Sequence, residues 1–219
     1  YWNGDPSFNT PFERLVAVSP FFIDLREVTC GEVRASGLAF LDVAALKADP
    51  YLYSSDPAKT IHYCTYTQNA ADKEGLPVNC VTRELAQKFC EARGATLPTE
   101  AQFEFVQGAR RDASFPWGEG DPTCDDAVFS RSFEASKPPE WRMCVDHGVG
   151  VAPPGSGKLD RVRMPDGGEI VDLSGNLSEW IADSYQTTDE PCFKQNPVVD
   201  PICREASTVN PDGVVVRGD

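Results

Sequence analysis

The residues best suited to chemistry lie in Asp172-Leu-Ser-Gly-Asn-Leu-Ser-Glu-Trp180. Asp172, Asn176 and Glu179 crowd around Gly175, between the strand-like pair Ile170-Val171 and the bulky Trp180-Ile181. Gly175 permits backbone conformations that side chains disfavour, so the loop can turn its carbonyls inward. Two carboxylates plus inward carbonyls make an all-oxygen cage, which suits a hard cation such as calcium. The competing reading is an Asx-turn loop with Trp180 as a core anchor.

The eight cysteines form no C-x-x-C pair, and the only histidines are His62 and His147. That spacing argues against structural zinc and favours disulfides made in an oxidising compartment. Cys124 and Cys144 bracket a proline-rich loop, and Cys192 and Cys203 bracket the segment 191–204. Local pairing of each is expected, at about 3 kcal/mol per bridge from loop closure. The pairing of Cys30, Cys64, Cys80 and Cys90 is left open. A reactive thiol among these four needs a basic neighbour, and His62 is the nearby candidate in sequence.

Other motifs read as ordinary structure. Gly155-Ser-Gly-Lys158 fails as a phosphate loop, because Ala152 stands where the first glycine belongs and Leu159 where Ser or Thr would bind magnesium. Arg217-Gly-Asp219 reads as a strand end. Asn176-Leu-Ser178 matches a glycosylation sequon, but a glycan would clash with a tight cation loop. Glu100, Glu104 and Asp112 read as a solvated helix face.

The positioning elements are short. Leu15 to Leu25 is strand-like, broken at Pro20. Thr29 and Glu32 form a capping box for a helix from about Cys30 to Ser36, and residues 38–48 fit a second helix. Thr82 is an N-cap for a helix to about Arg93, stopped by Gly94. Its face is Leu85, Ala86, Phe89 and Cys90. Thr99 and Gln102 cap the next helix, whose buried stripe is Phe103 and Val106 and which ends near 108–111. Residues 114–171 hold no long helix. The last segment ends in a strand around Val214–Val216. With 18 prolines and 17 glycines, the 219-residue chain reads as one loop-rich α+β domain with little regular structure.

Hydrophobic content of 41% fits a globular chain, and no apolar run is long enough to span a bilayer. A net charge of −14 disfavours nucleic acid and anionic membranes. The Tyr1 start without Met is what a processed secreted or periplasmic protein would show.

Several of these motifs, in order, resemble one family. Pro77-Val-Asn-Cys-Val-Thr82, Phe89-Cys90, and Gly94 through Leu97-Pro-Thr-Glu-Ala-Gln-Phe-Glu104 resemble the formylglycine-generating enzyme, or sulfatase-modifying factor, family. Glu27-Val-Thr29, Phe115-Pro-Trp-Gly-Glu119, Asp172 to Trp180, and Val215-Val-Arg-Gly218 match its other signatures. The resemblance implies the family's variant of the C-type-lectin-like fold. It implies a structural calcium on Asp172, the carbonyls of Gly175 and Leu177, and Glu179. It implies a second calcium on Asp126, the carbonyl of Ala127, Asp146 and the carbonyl of Gly148. Active members use copper on a cysteine pair that follows the final strand. That pair, with the family's C-terminal catalytic segment, is absent from residues 1–219, so no catalytic residue carries over. Cys90 matches a cysteine that the family bonds to that segment. The expectation is a non-catalytic, calcium-stabilised, extracytoplasmic binding domain with a protein partner. The alternative is a copper-dependent oxidase that makes formylglycine in sulfatases, with its active-site segment outside this sequence.

Overall fold

The computed structural model describes residues 15–38, 64–66, 73–109, 113–132, 137–194 and 198–218. Three short helices, α1 (Cys30–Ala35), α2 (Arg83–Ala92) and α3 (Glu100–Gln107), each start at a threonine. Thr29 and Thr99 form full capping boxes, with Glu32 and Gln102 reaching back to the cap amides at 2.9 Å. Thr82 takes only the Leu85 amide, at 3.3 Å. Each cap satisfies an amide that the first helical turn leaves without a partner. On α2 only Phe89 is buried. On α3 the buried pair is Phe103 and Val106, as their spacing predicts.

The six strands are β1 (Val16–Ala17), β2 (Arg161–Arg163), β3 (Glu169–Val171), β4 (Glu179–Ser184), β5 (Val198–Val199) and β6 (Val214–Arg217). They pair as three two-stranded sheets among the described residues: β1 parallel to β5, β2 antiparallel to β3, and β4 antiparallel to β6. The expected strand over 15–25 shrinks to two residues. Beyond Pro20 the chain turns Phe21 and Ile23 onto the core instead of pairing. The expected helix over 38–48 lies outside the described residues, apart from Leu38.

The main core joins α3 to the sheets through Phe103, Val106, Val162, Ile170, Leu173 and Ile181. Each such buried side chain contributes about 1.5–3 kcal/mol. Leu173 belongs to the Asp172–Trp180 loop, so that loop is nailed into the core by its second residue. A second cluster, Val33 with Phe89, joins α1 to α2.

Disulfides fasten the irregular parts: Cys64–Cys80, Cys124–Cys144 and Cys192–Cys203. The two local pairings read from the sequence are the ones observed, and Cys64–Cys80 resolves part of the open set. Cys30 and Cys90 remain free thiols. Glu100 and Glu104 are not a solvated face. Both take the Arg217 guanidinium, which ties β6 to α3. Asp183 bridges in the same way, accepting from the Glu100 and Cys203 amides at 2.9 and 2.7 Å.

Candidate metal centre

Strand β3 delivers the chain to Asp172, and β4 takes it away at Glu179. Between them two residues adopt left-handed backbone, Asp172 at φ 58° and Asn176 at φ 70°. Asp and Asn tolerate that region better than most side chains. Gly175 is not left-handed, so conformational freedom is not why glycine stands there. A Cβ on Gly175 would lie 2.6 Å from the Val128 carbonyl oxygen. That carbonyl accepts the Asn176 amide at 2.7 Å. Glycine is needed for close backbone approach.

The Asn176 side chain then locks the loop to two distant segments. Its Oδ1 accepts from the Ala152 amide at 2.8 Å, and its Nδ2 donates to Glu27 Oε2 at 2.7 Å and to the Ala152 carbonyl at 3.0 Å. With Nδ2 so committed, the sequon is a structural motif. The Leu177 amide donates to Glu27 Oε1 at 3.0 Å. Asp172 makes no Asx-turn bond to its own loop; its Oδ2 accepts from the Gly155 amide at 2.6 Å. The Gly155–Lys158 turn therefore serves this loop. Asp160 accepts from the Leu173 amide at 3.0 Å and from the Ser174 amide at 3.0 and 3.1 Å. Trp180 Nε1 donates to the Val81 carbonyl at 2.9 Å, which ties the loop's end to the segment before α2.

Three carboxylates thus converge on one loop: Glu27, Asp160 and Asp172. Burial, and next the Asp172 charge, push Glu27 up to about 9, against the bonds from Asn176 and Leu177. Burial pushes Asp160 up to about 6, opposed by the Ser174 and Leu173 amides. Burial also raises Asp172, while the Gly155 amide and Arg161 lower it. Glu27 and Asp160 are absent from the ligand sets read from the sequence. Glu27 was visible only as part of Glu27-Val-Thr29. Asp160 gave no signal, because only the fold carries it to the loop.

Of the predicted ligands, the structure brings Leu177 and Glu179 together. A Cβ on Gly218 would overlap the Glu179 carboxylate and come within 3.0 Å of the Leu177 carbonyl oxygen. Gly218 therefore leaves a cradle lined by one carboxylate and one carbonyl, both hard oxygen donors. The Gly175 carbonyl accepts the Leu177 amide at 3.0 Å, and its second lone pair can still serve as a ligand. Asp172 sits at the loop's other end, against Gly155.

The second predicted set is drawn together by the Cys124–Cys144 disulfide and one side-chain contact. His147 Nδ1 meets Asp125 Oδ1 at 3.0 Å, which sets the Asp126–Ala127 segment beside Asp146–Gly148. Asp126 Oδ2 already accepts from the Thr123 amide and hydroxyl at 2.9 and 2.6 Å. Asp146 is exposed. The Arg131 guanidinium lies against Gly148, 3.2 Å from where a Cβ would be. Among the described residues, no group of three or more His, Cys, Asp or Glu side chains is arranged to hold a metal by itself.

Copper needs thiolates. The free thiols Cys30 and Cys90 sit on different helices, and burial raises both above the usual thiol range.

The profile of the sulfatase-modifying factor enzyme 1-like domain matches residues 4–219. The chain belongs to the sulfatase-modifying factor family. Two relatives share its sequence more directly. "Inactive C-alpha-formylglycine-generating enzyme 2" of Bos taurus is 30% identical over 120 residues, covering 54% of this chain and 36% of that protein. The protein of the same name in Mus musculus is 28% identical over 116 residues, covering 52% and 34%. The matched regions thus span about a third of the length of these relatives. As a sulfatase-modifying factor domain, the chain combines, among the described residues, short helices and small sheets with a loop-rich body. No described helix is long and apolar enough to cross a membrane.

Proposed function

We propose that this chain is a non-catalytic, calcium-stabilised binding domain of the sulfatase-modifying factor family, working outside the cytoplasm on a protein partner. One observation carries the non-catalytic reading. Six of its eight cysteines are in disulfides, and the remaining two are free thiols on different helices. The names of the two relatives, which begin with "Inactive", support it. The three disulfides support an extracytoplasmic setting, because such bonds persist in oxidising compartments. Residues 1–219 are read as a single domain of the C-type-lectin-like type.

Calcium would be held by Asp172, the carbonyls of Gly175 and Leu177, and Glu179. Its role is structural: a divalent charge neutralises the loop's carboxylates and pins the strand ends β3 and β4. The second set, Asp126, Ala127, Asp146 and Gly148, is the weaker candidate, because Arg131 would repel a cation beside Gly148.

The alternative is a copper-dependent formylglycine-generating oxidase whose thiolates come from outside residues 1–219. The partial coverage of the relatives favours keeping it. The test is incubation of the full-length native protein with copper and a Cys-x-Pro-x-Arg peptide, with hydrazide capture of any aldehyde. No aldehyde is expected. Copper-dependent aldehyde formation would overturn the non-catalytic reading.

A further inference from the structure

Among the described arginines, most hold a carboxylate or a backbone carbonyl. Arg131, Arg142 and Arg204 make no such bond, and only Arg204 is fully exposed. Arg131 and Arg142 are half-buried, and the Nε of each is buried without a hydrogen-bond partner. Arg161 and Arg217 share that buried Nε but hold carboxylates through their outer nitrogens. Stripping water from a guanidinium without supplying a counter-charge is costly. The chain has a net charge of −14, yet among the described residues no carboxylate forms a salt bridge with either Arg131 or Arg142.

The backbone sets the two arginines across from each other. Ser132 donates its amide to the Trp141 carbonyl at 2.9 Å, and Cys144 donates to Ser130 at 3.1 Å. Arg131 therefore lies opposite the Arg142–Met143 pair. The Cys124–Cys144 disulfide clamps one end of this ribbon. The Arg131 guanidinium rests on Gly148, which stands at φ 129° and has no side chain to displace it. Beside the pair, Trp141 and Met143 are 56% and 64% exposed, and Lys137 Nζ sits 5.1 Å over the Trp141 ring. Arg, Trp and Met are residue types enriched where proteins bind. Guanidinium forks match carboxylate and tetrahedral oxyanions, and partial desolvation strengthens that attraction.

We propose that Arg131 and Arg142 form a receptor for a single oxyanion group, carboxylate or sulfate, with Trp141 and Met143 receiving the apolar part of the ligand that bears it. A highly charged polyanion is disfavoured by long-range repulsion from the rest of the chain. The site goes beyond the calcium-stabilised domain proposed above and stands without the calcium.

The test is NMR of the arginine Nε–H resonances in the wild-type chain, titrated with sodium sulfate and sodium acetate, with sodium chloride as the ionic-strength control. Two Nε–H signals should shift and saturate with an oxyanion but not with chloride. Tighter sulfate binding would assign a sulfated ligand, and tighter acetate binding a carboxylate. Arg131→Lys and Arg142→Lys should each weaken binding about ten-fold by removing one fork, whereas Arg204→Lys should leave it unchanged. Gly148→Ala should also weaken it by displacing Arg131. Shifts that merely track ionic strength, or binding that survives the double lysine variant, would overturn the proposal. If a variant fails to fold, the wild-type comparison of sulfate and acetate with chloride decides by itself.

Discussion

Gly175→Ala isolates one physical effect, because the backbone there is not left-handed and the only obstacle is space. The new Cβ would lie 2.6 Å from the Val128 oxygen, and 3.3 Å from both the Val128 carbonyl carbon and its amide nitrogen. All three atoms are backbone, so no side chain can swing aside. Restoring contact distance requires the loop to retreat by roughly 0.9 Å, given optimal separations of about 3.5 Å. That movement breaks the Asn176–Val128 bond, worth about 1 kcal/mol. Overpacking costs about 1–3 kcal/mol more. The sum is about 2–4 kcal/mol, or roughly 5–15 °C in Tm for a domain of this size. Gly94→Ala is the control, since at φ 75° it meets nothing within 4 Å and carries only the left-handed penalty of about 1–2 kcal/mol. The assay is thermal unfolding of both variants with the disulfides intact. A Gly175→Ala Tm equal to wild type would refute the close-approach reasoning.

Other expectations follow from the same contacts. Hydrogen bonds from the Thr208 and Thr187 amides, joined by the Thr208 and Ser207 hydroxyls, outweigh burial and hold Glu190 down to about 2, against an ordinary value of 4.5. A lowered carboxyl stabilises the fold above its unfolded value and loses that contribution as pH falls through its folded value. Wild-type stability should therefore drop between about pH 4.5 and 2 more steeply than that of Glu190→Gln, as read from denaturant midpoints. Replacing Cys192 and Cys203 by serine should cost about 3 kcal/mol, measured by urea unfolding, since that bridge closes a short loop. Arg217→Met should cost about 2 kcal/mol in the same assay. It leaves Glu100 partly buried beside Glu104 without its cation, a milder case than a fully buried broken pair.

Much of the scaffold was legible because its signals are local. Thr29, Thr82 and Thr99 cap helices through bonds that span three residues, so the sequence alone displays them. The Cys124–Cys144 and Cys192–Cys203 bridges close short loops and were readable for the same reason. Cys64–Cys80 was not, since four cysteines allow three complete pairings and sequence alone does not choose among them. The stretch 15–25 misled because β-favouring residues also serve as core contacts, and Phe21 and Ile23 are used that way. At the loop, the sequence assigned Gly175 the wrong cause, since the proximity of Val128 is a tertiary fact. Glu27, Asp160 and Gly218 reach the loop only through folding, at separations no periodicity records. Glu100 and Glu104 looked solvated because their partner, Arg217, lies at the far end of the chain.

The central claim is that a divalent ion pins the loop from Asp172 to Glu179. Its most direct test is the Tm of the disulfide-intact chain in about 10 mM calcium and in excess chelator. With the affinity typical of extracellular calcium modules, the ion should add about 1.4–2.7 kcal/mol, or roughly 3–10 °C. Glu179→Gln should abolish that difference while remaining folded. A chelator-insensitive Tm, or a calcium response that persists in Glu179→Gln, would contradict the account.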